Sequence, residues 1–153
     1  MRIRPDVLPE QAQERLASVL ARHHDGPGYV AWVDRVEIAE SAEFFSFGTN
    51  DLTQLTLGID RNNAKIQKHF DEMHPAVLGE IAKVISVCKC YNVKTSICGQ
   101  AGSRPEMAEF LVKHGIDSIS ANADAVAKIR HAVARAEKKV LLDAEREKIN
   151  EEE

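Results

Sequence analysis

Apolar residues along this chain switch between two spacings, and each switch predicts a new element of secondary structure. Three short runs of β-type residues each end at or beside a glycine or another small residue, at Phe44–Phe47, Lys94–Cys98 and Ser118–Ala121. Segments in which apolar residues recur every three or four positions follow these runs. Alternating strands and helices predict βαβ units, and therefore an α/β fold with parallel strands and crossover helices.

Three helices are predicted around these strands. Pro75–Tyr91 carries its apolar residues on one side. The next helix begins at SRPE (103–106), whose serine is the predicted N-cap and whose glutamate closes a capping box, and it ends at His114 before a glycine. A long last helix follows, with either Asn122 or Asp124 as its cap.

The N-terminal region has helical spacing instead of strand alternation. Residues 6–24 keep an apolar stripe at helical intervals, and Asp25–Gly28 turns the chain. Residues 29–42 have a less regular stripe and are predicted as a second helix. The charged stretch at 143–153 predicts a solvated, fraying helix end.

Charge and cysteine content exclude several classes of protein. A formal net charge of −4 argues against a general nucleic-acid binder, because neutralising phosphates needs clustered Lys and Arg. Three cysteines without disulfide-framework spacing predict a reducing compartment. The first residues lack the apolar core of a secretory signal, and no apolar run approaches the length of a membrane span. We therefore expect a soluble, cytoplasmic protein.

Polar residues stand where the predicted strands end. Asn50 and Asp51 follow the first strand, Cys98 closes the second, and Asn122 follows the third. Ligands of parallel α/β folds bind at the carboxyl ends of the strands. The convergence of these residues predicts a binding site on that rim.

Each candidate residue has a structural and a functional interpretation. Asp51 is either a helix cap or a ligand for a hard cation such as Mg²⁺. Asn50 is either a turn residue or a hydrogen-bond donor to a phosphate. Arg61 is either solvated or a bidentate phosphate ligand, and Cys98 is either a small buried residue or a thiol with acid, base or nucleophilic chemistry.

The remaining cysteines and two histidines predict no metal site. Cys88 and Cys90 fit small buried residues of their helix, and they lack the second pair that a zinc site needs. His69 and His74 are five residues apart, which is a poor spacing for a metal pair on a helix.

Four stretches are specific enough to show a resemblance. They closely resemble the C-terminal half of the phosphoenolpyruvate (PEP)-binding (β/α)₈ barrel of the PEP-utilising enzymes, which include phosphoenolpyruvate synthase, pyruvate phosphate dikinase and enzyme I of the sugar phosphotransferase system. The sequences TLGIDR and CGQ are most similar to those of the phosphoenolpyruvate synthase branch. The stretches are FFSFGTNDLTQLTLGIDR (44–61), FDEMHPAV (70–77), SICGQAGSRPEMAEFLVKHGIDSIS (96–120) and NADAV (122–126).

The resemblance implies a partial, TIM-type (β/α) barrel. Phe44, Lys94 and Ser118 would begin its sixth, seventh and eighth strands, so about three parallel strands are expected with their crossover helices. Residues 35–143 would form this part of the barrel. An N-terminal helical segment (1–34) would precede it, and a charged tail (144–153) would follow.

The resemblance also implies roles for the rim residues. Asp51 would be one of two carboxylate ligands of Mg²⁺, Asn50 would donate to the phosphate of PEP, and Arg61 would grip the phosphoryl group. Cys98 would protonate the enolate carbon of pyruvate, or remove that proton in the reverse direction. The second carboxylate ligand of the family has no counterpart in this sequence, and Glu37 is not assigned to it.

In the full-length family these residues serve phosphoryl transfer between ATP, pyruvate and PEP through a phosphohistidine. This sequence contains no ATP-grasp domain, no phosphohistidine segment and none of the earlier barrel strands. We therefore expect a fragment or subunit of a phosphotransferase that is inactive alone, and that associates as a homo-oligomer or with a companion chain supplying the missing strands. The alternative is a stand-alone, non-catalytic PEP- or pyruvate-binding domain, or a vestigial one.

Overall fold

A computed structural model describes residues 38–40 and 42–151. They form three strands and four α-helices, together with single turns of 3₁₀-helix at Gln67–His69 and Gln100–Ser103. The strands and α-helices follow in the order β1 (Phe44–Gly48), α1 (Thr49–Leu57), α2 (Pro75–Cys90), β2 (Lys94–Cys98), α3 (Pro105–His114), β3 (Ser118–Ile119) and α4 (Val126–Glu151).

Part of the N-terminal prediction lies outside the described residues. This applies to the helix at 6–24, to the segment 1–34 and to residues 29–37 of the second predicted helix. Residues 38 and 39 are helical, and the amide of Ala42 donates to the carbonyl of Ile38 over 2.9 Å. Ala39 and Phe45 are buried in one cluster with Cys88 and Val93, so this short helical end packs against the first strand.

The three strands form one parallel sheet in the order β1-β2-β3, which confirms the predicted α/β class. Gly48 of β1 is opposite Cys98 of β2, and Ser96 of β2 is opposite Ser118 of β3. β2 has the predicted bounds, whereas β3 ends at Ile119 and is two residues long. The carboxyl ends of β1 and β2 therefore lie side by side.

The main core lies between the sheet and the helices that connect its strands. Phe47 of β1 and Ile97 of β2 are buried because alternate strand residues point to the same face. Around them pack apolar residues of α2 and α3, namely Val77, Ile81, Ile85, Met107 and Leu111. Burial of these helix faces positions the first residues of each helix at the sheet's carboxyl edge.

The start of α3 differs from the prediction. Ser103 is not its N-cap: Arg104 is, without a side-chain capping bond, and the Ser103 hydroxyl accepts a hydrogen bond from the backbone amide of Asn122 over 2.9 Å. Pro105 occupies the first turn and restricts the residue before it to an extended conformation, so the helix begins after Arg104. The end at His114 is as predicted, with Gly115 at φ 79°.

Two further capping predictions have different outcomes. Gly48 is the N-cap of α1, so Asp51 lies inside the first turn and does not cap the helix. At α4 the backbone carbonyl of Asn122 accepts from the amides of Ala125 and Val126, so Asn122 lies in the turn before the helix, and its capping role stays a prediction.

The cysteines of α2 have unlike environments. Cys88 is 1% exposed, and burial, with a smaller contribution from the charge of Asp117, raises the pKa of its thiol to about 11. Its thiol is therefore protonated at neutral pH and acts as a small apolar residue. The prediction that Cys90 is also buried is wrong, because Cys90 lies at the end of α2 and is exposed.

No helix in the described ranges has both the length and the apolar character needed to cross a bilayer.

Two buried threonines on α1 differ in their hydrogen bonding. Thr49 and Thr53 are both fully buried. The Thr49 hydroxyl donates to Oε1 of Glu72 over 2.6 Å, the short distance typical of a bond to a carboxylate. The Thr53 hydroxyl has no partner within the described part of the chain. The two positions therefore form a matched pair in which the same substitution has different consequences.

We expect Thr49→Val to lower the free energy of unfolding by about 2 kcal/mol, because Glu72 loses its shortest donor while remaining buried. The same change at Thr53 keeps the β-branched shape and removes a buried hydroxyl that lacks a partner, so it should be neutral or stabilising by up to about 1 kcal/mol. Urea denaturation of both variants measures the difference. Equal destabilisation of the two variants would contradict the importance of the Thr49–Glu72 bond.

Gly102 is required where the 3₁₀ turn meets the end of the third strand. A Cβ atom at this position would lie 2.1 Å from the backbone oxygen of Ser120. Gly79, in the middle of α2, has no atom within 4 Å of the place where its Cβ would lie.

We expect Gly102→Ala to lower the free energy of unfolding by at least about 2 kcal/mol, because the clash is with backbone. Gly79→Ala should raise it by up to about 1 kcal/mol, because alanine restricts the unfolded chain and favours helix. Denaturant titration tests both. A stable Gly102→Ala variant would show that the turn and the strand end can move apart.

Asp117 joins β2 to the start of β3. Its carboxylate accepts from the Thr95 amide over 2.7 Å, from the Thr95 hydroxyl over 3.1 Å and from Lys94 Nζ over 3.1 Å. The backbone bond from Thr95, followed by the bond from Lys94, holds the pKa of Asp117 below its usual value. In the window between the folded and the unfolded pKa the unfolded state binds more protons, so stability rises with pH there.

We therefore expect Asp117→Asn to be destabilising at pH 7 and progressively less so as pH falls from about 5, because the wild-type advantage disappears when Asp117 is protonated. Urea titrations at neutral and acid pH measure the change. Asp143→Asn is the control, since Asp143 forms an exposed pair with Arg146 one helical turn away. A pH-independent cost of Asp117→Asn would contradict this account.

Candidate functional site

The candidate site lies at the carboxyl edge of the sheet. Because Gly48 is opposite Cys98, the first turn of α1 lies beside the end of β2. Thr49 Oγ1 lies 3.5 Å from the carbonyl oxygen of Cys98. A Cβ atom at Gly99, which has φ 101°, would lie 2.9 Å from the same hydroxyl. The absence of a side chain at Gly99 therefore lets β2 end directly against α1.

Asn50 and Arg61 are brought together. The orientation of the Asn50 amide follows from its partners: Nδ2 donates to Glu72 Oε1 over 3.3 Å, and Oδ1 accepts from Arg61 Nη1 over 3.1 Å. Asn50 is half-buried and Arg61 is exposed. Among the described residues the guanidinium is thus held at the rim by one of its five N–H groups, and its other donors are directed to no acceptor there.

Glu72 is the residue that sequence reasoning missed. It is 7% exposed, and its Oε1 accepts from both Thr49 and Asn50. A buried carboxylate needs such donors, because an uncompensated charge in the interior is costly. Its partner Thr49 is 23 residues away in sequence. The only local signal is a pair of acidic residues, Asp71 and Glu72, between Phe70 and Met73 and just before a helix.

The loop that carries Glu72 is held on both sides. Asp71 Oδ1 accepts from the Met73 amide over 3.0 Å and pairs with Arg104 Nη1 at 3.5 Å. His74 is the N-cap of α2, and its Nδ1 accepts from the Ala76 amide over 3.2 Å. His74 therefore has a capping role in this structure.

Cys98 lies at the end of β2 with its thiol exposed at the rim. Its Sγ is 3.4 Å from the carbonyl oxygen of Phe47 on the neighbouring strand. Cys98 therefore ends its strand at the rim, as the sequence predicts, and its exposed side chain is accessible to a small substrate.

Asp51 is one residue beyond Asn50 in the first turn of α1, and it is exposed. No group of three or more His, Cys, Asp and Glu side chains suited to a metal ion occurs in the described ranges. The oxygen donor of Asp51 suits Mg²⁺ chemically, but one carboxylate makes only part of a site. A complete Mg²⁺ site would need further oxygen ligands from a substrate, from water or from residues beyond those described.

Comparisons with known proteins find matches to one family of enzymes. Residues 27–138 match the family model described as "PEP-utilising enzyme, PEP-binding domain". Among similar proteins, the phosphoenolpyruvate synthase of Pyrococcus furiosus is 53% identical over 147 residues, covering 86% of this chain and 18% of that protein.

Two further relatives have similar names. A "probable phosphoenolpyruvate synthase" of Methanocaldococcus jannaschii is 58% identical over 106 residues, covering 69% of this chain and 9% of that protein. The phosphoenolpyruvate synthase of Aquifex aeolicus is 48% identical over 115 residues, covering 74% of this chain and 13% of that protein.

The aligned part is less than a fifth of each of these relatives. The family match and the identities confirm the resemblance seen in the four sequence stretches. The chain therefore belongs to the family of PEP-utilising enzymes, in the part that forms their PEP-binding domain.

Proposed function

We propose that this chain supplies one wall of the PEP site of a phosphoenolpyruvate synthase-like phosphotransferase. The observation that supports the proposal most directly is the Asn50–Arg61 pair at the carboxyl edge of the sheet, where the exposed Cys98 ends β2. Arg61 is held there by Asn50, and within the described residues its other N–H groups have no acceptor, which suits a phosphoryl group. The similarity to phosphoenolpyruvate synthases supports PEP as the ligand.

The proposed architecture is a partial barrel. Within the described residues β1 and β3 each pair only with β2, so their outer edges can accept further strands. Open edges of a parallel sheet are normally covered. We propose that a homo-oligomer or a companion chain covers them, and that the companion carries the earlier strands, the phosphohistidine and the ATP-binding part.

Each rim residue has a proposed role in this site. Arg61 binds the phosphoryl group and neutralises its charge, and Asn50 fixes the direction of the Arg61 guanidinium and lies next to the same phosphate. Cys98 gives a proton to the enolate carbon of pyruvate or takes it from the methyl group in the PEP-forming direction. The donor phosphohistidine lies outside the described residues, so the phosphoryl step requires another part of the protein.

Asp51 would provide one ligand for Mg²⁺, with the remaining ligands coming from substrate oxygens, water and groups beyond those described. When bound, the ion would stabilise negative charge on the enolate oxygen. The contribution of Asp51 is to keep an exposed carboxylate one residue from Asn50.

A non-catalytic binding domain is the second candidate. The connections between Thr49, Asn50, Arg61 and Glu72 are all present in the single chain. A site that is already built needs no partner to bind a small anion. Binding and turnover therefore have to be measured separately.

The test is calorimetric titration of the full chain with PEP, and with oxalate as a mimic of enolpyruvate, each with and without Mg²⁺. Arg61→Ala should weaken PEP binding about tenfold or more, because it removes a charged hydrogen-bonding group. Asp51→Ala should remove the dependence of oxalate binding on Mg²⁺. Arg146→Ala and Asp143→Ala, which break an exposed pair on α4, are the matched controls.

The outcomes separate the candidates. Mg²⁺-dependent binding without turnover would support a chain that binds the ligand alone. If no companion chain then restores activity, the same result would support the non-catalytic binding domain. Binding that is equally strong in Arg61→Ala and in wild type would contradict the proposed site. If the chain does not bind millimolar ligand, the stand-alone binding domain is excluded. The remaining candidate is then a subunit that requires a companion chain.

A further inference from the structure

We propose that Glu72 is a positioning residue of this site: it sets the orientation of the Asn50 amide and, through it, the direction of the Arg61 guanidinium. The hydrogen bonds that carry this proposal join described residues, with the Asn50 amide assigned the orientation in which both of its ends have a partner. Its consequence for ligand binding rests on the function proposed above for Arg61.

The chemistry of the three groups permits one arrangement. A carboxylate oxygen only accepts hydrogen bonds, and a guanidinium only donates them. Asn50 lies between them, with Glu72 Oε1 at 3.3 Å from its Nδ2 and Arg61 Nη1 at 3.1 Å from its Oδ1. Turning the amide by half a rotation would place two acceptors together and two donors together. Glu72 therefore determines which end of the amide faces Arg61.

Glu72 can act as a fixed reference because its own position is constrained. Its Oε1 accepts from the buried hydroxyl of Thr49 over 2.6 Å. On one side of it Asp71 pairs with Arg104, and on the other His74 caps α2. A side chain that is 7% exposed and held in this way loses little conformational entropy when it orients Asn50.

The neutral amide also keeps the two charges apart. Arg61 bonds to the Asn50 oxygen and not directly to the Glu72 carboxylate. A direct bidentate pair would occupy the fork of the guanidinium that recognises a phosphate. With Asn50 between them, Glu72 aligns the guanidinium through a bond that, in the part of the chain the structure describes, uses one N–H of Arg61. This arrangement orients Arg61 and keeps its remaining donors for a phosphate.

The first test is nuclear magnetic resonance of the ¹⁵N-labelled full chain without ligand, following the Asn50 side-chain amide and the Arg61 Nε–H signal. Glu72→Leu should move both signals, with Arg61 shifting to the position of an exposed arginine such as Arg146. Glu72→Gln should restore them, because its amide retains an oxygen that accepts from Thr49 and Asn50. Glu145→Leu, which alters an exposed glutamate of α4, is the control and should move neither.

Asn50→Leu is the second variant and is used if Glu72→Leu does not fold. It leaves the Thr49–Glu72 bond in place and removes the two Asn50 bonds that connect Glu72 to Arg61, so the Arg61 signal should again move to the exposed position. Unchanged Arg61 signals in a folded Glu72→Leu or Asn50→Leu variant would overturn the proposal.

The second test measures PEP affinity by calorimetry in a double-mutant cycle. Glu72→Leu should weaken binding about tenfold, Glu72→Gln less than about threefold, and Glu72→Leu should have no further effect when Arg61 is already alanine. An equal loss with and without the Arg61 side chain would indicate a general structural role and overturn the positioning role.

The two tests distinguish a wrong function for Arg61 from a wrong positioning role for Glu72. If PEP does not bind, or if Arg61→Ala leaves its affinity unchanged, the proposed function of Arg61 is wrong, and the ligand-free signals still decide whether Glu72 orients Asn50. If PEP binds through Arg61 but the signals and the affinity do not respond to Glu72, the proposed function stands and the positioning role is wrong.

Discussion

The hydrogen bond between Thr49 and Glu72 is the interaction on which the candidate site depends. It is 2.6 Å long and fully within the protein, so it joins the start of α1 to a loop 23 residues away without competition from water. The same hydroxyl lies against the end of β2, where Gly99 leaves room for it. One contact therefore holds three segments in a fixed relation, and Asn50 and Arg61 take their positions from it.

The parallel sheet supplies the second constraint. A sheet in the order β1-β2-β3 places the carboxyl ends of consecutive strands side by side, so residues about 50 positions apart become neighbours without any local signal. The same geometry leaves β1 and β3 each paired on one side within the described ranges. The candidate site is built on two strand ends and one loop, and all three are held by this arrangement.

Sequence patterns predicted the features that depend on local chemistry. The bounds of β2, the proline start of α2 and the glycine end of α3 follow from alternation, from a fixed φ angle and from a left-handed residue. The serine of SRPE was mispredicted as a cap because a capping box is a local rule, whereas Ser103 bonds to Asn122 across the fold. Glu72 was missed for the same reason: its hydrogen-bond partner Thr49 is 23 positions away in sequence.

The Asn50 side chain shows why an amide, and not a second acid, suits the position between Glu72 and Arg61. An aspartate there would place two carboxylates about 3.3 Å apart, and like charges at that distance cannot both remain ionised at low cost. An apolar residue would remove this acceptor from Arg61 and leave Thr49 as the donor to Glu72. Asparagine donates to Glu72 on one side and accepts from Arg61 on the other. The position of the buried carboxylate therefore sets the orientation of the exposed guanidinium, and the amide between them adds no charge. The donor and acceptor ends of this one amide thus connect the buried Glu72 carboxylate to the exposed Arg61 guanidinium at the rim.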